Sequence, residues 1–169
     1  MRLTIVPVLC ALALVAATAR ADASPRGADA CDLMEQTFKL AEKTWYANLS
    51  EQRLGRGSYS CQWTQGKVNE HALSLYVFSE RSAAAAASAL VRYAPPSYGP
   101  RIRLQGAEEA RGKELKRTRR SSSSRVGWRQ GRYVCLLSIA GIGDSGDLES
   151  ALELARRFIG RLSRQGVRR

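Results

Sequence analysis

The chain has 169 residues, 44% of them hydrophobic and 25% charged, with 27 Lys and Arg against 15 Asp and Glu and a formal net charge of +12. That length suits one ordinary domain with a real core, which excludes reliance on a dense disulfide framework. The positive excess favours acidic partners and long-range steering, without choosing among nucleic acid, anionic lipid and acidic polysaccharide.

Residues 1–23, MRLTIVPVLCALALVAATARADA, have the parts of a secretory signal. Arg2 is a short positive segment, Leu3 to Ala17 carries no charge, and small residues follow at the spacing a signal peptidase reads (Ala17 and Ala19, Ala19 and Ala21, or Ala21 and Ala23). The apolar run is shorter than the roughly 20 residues of a comfortable span, and no later run could cross a bilayer. Leu9 precedes Cys10, so a lipoprotein signal is absent and Cys10 leaves with the leader. Loss of Arg2, Arg20 and Asp22 leaves a net charge of +11. A secreted, periplasmic or cell-envelope location is therefore expected, where disulfides form. Cys31, Cys61 and Cys135 remain, and three pairings exist. Cys31–Cys61 is preferred; a loop of that span contributes on the order of 3 kcal/mol in the chain-entropy model. Cys135 then acts as a small buried hydrophobe.

Residues 24–29 form a linker, 30–163 a single domain, and 164–169 a frayed basic tail. ACDLMEQTFKLAEKTWYANL, residues 30–49, places Met34, Phe38, Ala41 and Trp45 at helical spacing, and Asp29 or Asp32 can cap it. Two glycines break the pattern at SEQRLGRGS. SYSCQWTQ (58–65) then alternates, with Tyr59, Cys61 and Trp63 on one side, and HALSLYVFS (71–79) puts Leu73, Leu75 and Val77 on one face and Tyr76 and Phe78 on the other. These read as an antiparallel hairpin. Ser79 is the expected cap of ERSAAAAASALVRY, a helix thin enough to lie close to its neighbour, which Pro95 and Pro96 stop. RIRLQG (101–106) is a candidate short strand, and residues 106–125 show no period. VGWRQGRYVCLLSIAG (126–141) is a second hairpin turning at Arg129-Gln130-Gly131. GIGDSGD is a loop whose Asp147 caps LESALELARRFIGRL, a helix with a continuous apolar stripe from Leu148 to Leu162.

Helices alternate with antiparallel hairpins, which predicts an α+β fold: a sheet of four to six strands with about three helices on one or both faces. The hairpins, each followed by a helix, hint at duplication, but no sequence repeat supports it. The skeleton of Cys31, Cys61 with Trp63, Gly106 to Ala110 and Arg129 to Arg132 resembles small bacterial cell-envelope proteins of unknown function, known mainly as actinobacterial lipoproteins. The likeness spans most of the mature chain and departs in lacking the lipobox. It implies a two-layer α/β sandwich, a bond between the early cysteine and the Cys-x-Trp strand, and no catalytic residues.

Chemistry-bearing patterns are sparse. His71 is the only histidine. It reads as a strand-end surface residue, and alone it cannot supply a His- or Cys-rich zinc site. No nucleophile elbow, Walker A or dinucleotide fingerprint occurs, so no metal or cofactor is expected. Glu108 and Glu109 are adjacent and should point apart. GIGDSGD lacks the terminal Glu of a calcium loop. The loudest segment is KELKRTRRSSSSR (113–125), with Lys113, Lys116, Arg117, Arg119, Arg120 and Arg125 as candidate polyanion-binding residues. It reads either as a mobile basic arm or as a solvated loop. It has no interleaved aromatics, which argues against sequence-specific nucleic-acid recognition.

The expected function is that of an exported, non-enzymatic binding or interaction module facing an anionic surface, a polysaccharide or an acidic protein. The alternatives are a small hydrolase using Glu108, Glu109 and His71, and an apolar-ligand carrier lined by Trp45, Trp63 and Phe78.

Overall fold

A computed structural model describes residues 28–41, 52–55, 58–65 and 71–165. In chain order the elements are α1 (Ala28–Ala41), β1 (Gln52–Gly55), β2 (Ser58–Gln65), β3 (His71–Ser79), α2 (Ala83–Tyr93), β4 (Glu109–Arg117), β5 (Ser121–Gln130), β6 (Tyr133–Ile142) and α3 (Leu148–Gln165), with a short 3-10 turn at Pro96–Tyr98. The six strands form one antiparallel sheet in the order β1-β2-β3-β6-β5-β4. The fold is α+β, with three helices on the sheet.

Alternation along the strands sorts the side chains. Pairing of Cys61 with Leu75, Leu75 with Leu137, and Leu137 with Val126 aligns one apolar face across four strands. α1 and α3 cover that face, and Phe158 meets Trp128 edge-on with ring centroids 6.1 Å apart. Ala151, Ala155, Phe158, Ile159 and Leu162 of α3 are all buried there. Burial of each large side chain contributes about 1.5–3 kcal/mol. Cys31 of α1 is bonded to Cys61 of β2, tying helix to sheet across 30 positions of sequence. In the chain-entropy model that constraint is worth about 3–4 kcal/mol. Cys135 is buried and unbonded on the same face.

α2 lies on the opposite face. Ala86, Ala89, Leu90 and Ala94 pack with Val134, and Phe78, Tyr98 and Leu136 adjoin them. The helix adds a partial third layer over the middle of the sheet, so helices occupy both faces. Its alanines permit a close approach: a Cβ added at Gly127 would lie 2.9 Å from the Cβ of Ala94. The strands thus repeat as two three-stranded meanders side by side. α2 and α3 leave them on opposite faces, so the helices do not share the repeat.

Several sequence expectations are corrected. α2 is capped by Ser82, whose Oγ accepts the Ala85 N–H at 3.1 Å. Ser79 is unavailable because it is the last residue of β3, paired with Tyr133. RIRLQG contributes only an isolated bridge, Arg101 to Arg111. The second hairpin turns at Gly131-Arg132, between paired Gln130 and Tyr133, with Gly131 at φ 57°. β1 lies within the segment read as a break. Residues 109–125, read without period, hold β4 and half of β5. The expected extension of the first helix to residue 49, with Trp45, and the tail from residue 166 lie outside the described residues, as do the leader and most of the linker.

Candidate polyanion-binding surface

KELKRTRRSSSSR is neither a floppy arm nor a loop. It is the outer part of the β4–β5 hairpin, with Lys113 paired to Arg125, Lys116 to Ser123 and Arg117 to Ser122. The turn is held by Thr118, whose Oγ1 accepts the N–H groups of Arg120 at 3.2 Å and Ser121 at 3.0 Å. The backbone N–H of Thr118 donates to the Ser121 carbonyl at 2.8 Å, and Gly143 N–H donates to the Arg120 carbonyl at 3.1 Å. The turn that displays Arg119 and Arg120 is therefore fixed by the Thr118 hydroxyl and by main-chain bonds, none of them made by the two arginine side chains.

The serines that follow form a clamp. Ser122 and Ser124 are buried on the face covered by α3. Ser122 Oγ donates to the Gly143 carbonyl at 2.5 Å and accepts the Gly146 N–H at 2.9 Å. Ser124 Oγ shares its proton between the carbonyls of Gly146 and Asp147, at 2.8 and 2.7 Å. The β6–α3 loop is thus stitched to β5, and only glycine fits at 146, because a Cβ there would lie 2.2 Å from the Ser122 carbonyl oxygen. Asp147 Oδ1 accepts the Ser150 N–H at 2.8 Å and caps α3 as its position predicts.

The six candidate cations divide into two sets. Arg125 is structural: its Nε donates to the Tyr98 carbonyl and a terminal nitrogen to the Ser97 carbonyl, both at 2.8 Å, and its guanidinium stands 4.2 Å from the Tyr98 ring centroid. Burial raises the Tyr98 phenol, partly offset by a hydrogen bond from Ser138 and by the Arg125 charge. Arg117 pairs with Asp144 at 3.0 Å and with Glu114 at 3.8 Å. Both pairs are solvent-exposed and energetically small, but they locally neutralise the charge. Lys113, Lys116, Arg119 and Arg120 are exposed and have no side-chain ion pair or hydrogen bond among the described residues. Two of the three exposed large hydrophobics of the described chain, Leu115 and Ile142, are at this end of the sheet. Leu115 occupies the irregularity between Glu114 and Lys116, and Ile142 pairs with Ser121.

β4 is an edge strand. Near its start the edge is covered, because Ile102 N–H reaches the Ala110 carbonyl at 3.0 Å and Gly112 N–H reaches the Pro100 carbonyl at 3.2 Å. Towards the turn, protection passes to the bulge and the charged side chains.

The remaining sequence candidates do not converge. Glu108 pairs with Arg129 and accepts the Gly131 N–H at 2.7 Å, whereas Glu109 faces Arg101 at 3.4 Å and Arg111 at 3.8 Å. Glu109 is level with Arg129 and Val134, and Glu108 is one position further out, whereas His71 precedes Ala72, the partner of Ala140. At least seven strand positions separate those levels, about 23 Å at roughly 3.3 Å each. Trp63 and Phe78 are on opposite faces of the sheet, so they cannot line one apolar pocket. Sequence reasoning missed the contact between His71 Nδ1 and Ser145 Oγ at 3.1 Å, 74 positions apart. Ser145 Oγ also donates to the Ile142 carbonyl at 2.6 Å. With that proton given to the carbonyl, the hydroxyl can only accept from His71 in the tautomer that protonates Nδ1, and that tautomer does not activate a nucleophile. Burial raises the Cys135 thiol far above its usual range, which leaves it unreactive. No group of three or more His, Cys, Asp or Glu side chains able to hold a metal occurs among the described residues, and no described helix is long and apolar enough to cross a membrane. No family model and no curated protein matches this chain.

Proposed function

We propose that the protein is an exported, non-enzymatic binding module of the cell envelope that engages anionic partners through the tip of its β4–β5 hairpin. The observation that carries the reading is a set of four exposed cations without a counter-charge among the described residues: Arg119 and Arg120 on a turn held by the Thr118 hydroxyl and by backbone bonds, and Lys116 and Lys113 on the strand that leads to it. A pre-organised cationic surface loses little freedom on contact, and it attracts polyanions by releasing their counterions. The leader-like N-terminus supports export, and so does the bond between Cys31 and Cys61. The tip lacks aromatics, which fits recognition of charge rather than of base sequence.

Retention on immobilised heparin, eluted by salt, tests this. The chain carrying Lys113→Gln, Lys116→Gln, Arg119→Gln and Arg120→Gln should elute much earlier. The slope of log affinity against log salt should fall by about 3, at roughly 0.7–0.9 per lost contact. Equal elution of the two chains would remove the hairpin tip from the binding surface.

A further inference from the structure

We infer that the anionic partner of this surface is a lipid bilayer, against which the hairpin end of the sheet docks with its cations at the headgroups and with Leu115 and Ile142 in the acyl boundary. The inference rests on the polyanion-binding reading above and narrows it.

The carrying observation is a coincidence of place. Among the described residues three large hydrophobics are exposed: Val91 at 52%, Leu115 at 49% and Ile142 at 51%. Two of them flank the turn that bears the unpaired cations. Ile142 pairs with Ser121, the residue that ends the turn, and Leu115 is the unpaired residue of β4 beside Lys116. The two positions are separated by two strand spacings and about two residues, roughly 12 Å, with the cations beside and beyond them. A soluble polysaccharide offers charge but no apolar layer behind it, so exposed aliphatic side chains gain little there. A bilayer offers both at the depths required: anionic headgroups first, acyl chains a few ångströms deeper. Aliphatic rather than aromatic tip residues also suit acyl chains better than bases or sugar rings, which recruit stacking. The tip is rigid, because the Thr118 and Gly143 bonds hold it, so the apolar pair is presented without local unfolding.

Co-flotation with vesicles of phosphatidylcholine alone, and of phosphatidylcholine with a quarter phosphatidylglycerol, tests the inference, with the heparin column run in parallel. The native chain should float with the anionic vesicles only. Leu115→Ser with Ile142→Ser should cut that partition about 25-fold while heparin elution is unchanged, since each half-exposed side chain contributes about fivefold on transfer. Both positions are exposed, so the fold should survive; far-ultraviolet dichroism checks it. As a second measurement, an environment-sensitive fluorophore on Ile142→Cys should shift to the blue on anionic vesicles. Unchanged partition in the double serine variant, or no spectral shift at Ile142 on vesicles that bind the chain, would overturn the apolar contact. Heparin retention without flotation would overturn the bilayer as partner and leave the polyanion reading standing. Failure on both supports would defeat that reading itself.

Discussion

Replacement of Ser122 by Ala tests whether the serine run is a clamp or a spacer. Ser122 is 2% exposed, and its hydroxyl makes two bonds, one given to the Gly143 carbonyl and one taken from the Gly146 N–H. Removal leaves a buried backbone N–H without a partner, at about 1–3 kcal/mol, and weakens a partly buried carbonyl by about 1 kcal/mol more. The expected loss is about 2–4 kcal/mol, a large share of the 5–15 kcal/mol typical of a single domain. Ser124→Ala should cost less, about 1–2 kcal/mol, because it shares one proton between two carbonyls. Ser123 is half-buried on the opposite face, and Ser121 bonds only the exposed Thr118 hydroxyl, so their alanine variants should stay within about 0.5 kcal/mol of the native chain. Urea unfolding followed by the emission of the buried Trp63 and Trp128 gives the four values at a common slope. Ser122 and Ser124 both hold Gly146, so their double variant should be non-additive. Four equal small effects would refute the clamp.

Two further outcomes separate structure from function. Arg125→Ala should lower stability by about 2 kcal/mol through loss of its carbonyl bonds and its ring contact. Lysine should not rescue it, because it lacks the planar fork, and heparin elution should shift by no more than one surface charge. Comparable loss of binding would place Arg125 at the interface after all. For Cys135, burial raises the folded-state thiol, so its contribution to stability is full below the unfolded value near pH 8.5 and declines as pH rises above it. The native chain should lose up to about 1.4 kcal/mol per pH unit more than Cys135→Ala over pH 9–10, and a thiol reagent should react only on unfolding. Parallel pH profiles would contradict this.

What the sequence revealed follows what its core is made of. β2, β3 and β6 bury Trp63, Leu75 and Leu137, and α3 buries Phe158 and Leu162, so alternation and helical period stand out in the letters. Apart from Val126 and Trp128 at the inner end of β5, the hairpin that carries the candidate site buries Ala110, Gly112, Ser122 and Ser124 instead. Its strands alternate in burial but not in hydrophobicity, because small side chains admit α3 and the serines are satisfied by a loop 21–24 positions away. The cations were visible, but their fates were not. Arg117 and Arg125 are committed to Asp144 and Tyr98, each 27 positions distant, and nothing in the local sequence distinguishes them from Lys116 or Arg119.

Edge protection accounts for only part of this charge. Lysines on a bulged edge strand keep it from pairing with another chain, and that explains Lys113 and Lys116 without any ligand. Arg119 and Arg120 are not on an edge. They occupy a turn whose backbone is satisfied by Thr118, Ser121 and Gly143, so neither the ladder nor the turn needs a cation there. Two adjacent arginines repel each other and gain nothing within the described fold. The excess is thus placed where folding is indifferent to it and where solvent, or whatever replaces solvent, meets it first. Charge at such a position can be removed without loss of stability, so an effect of Arg119 and Arg120 on retention would report contact with a partner and nothing else.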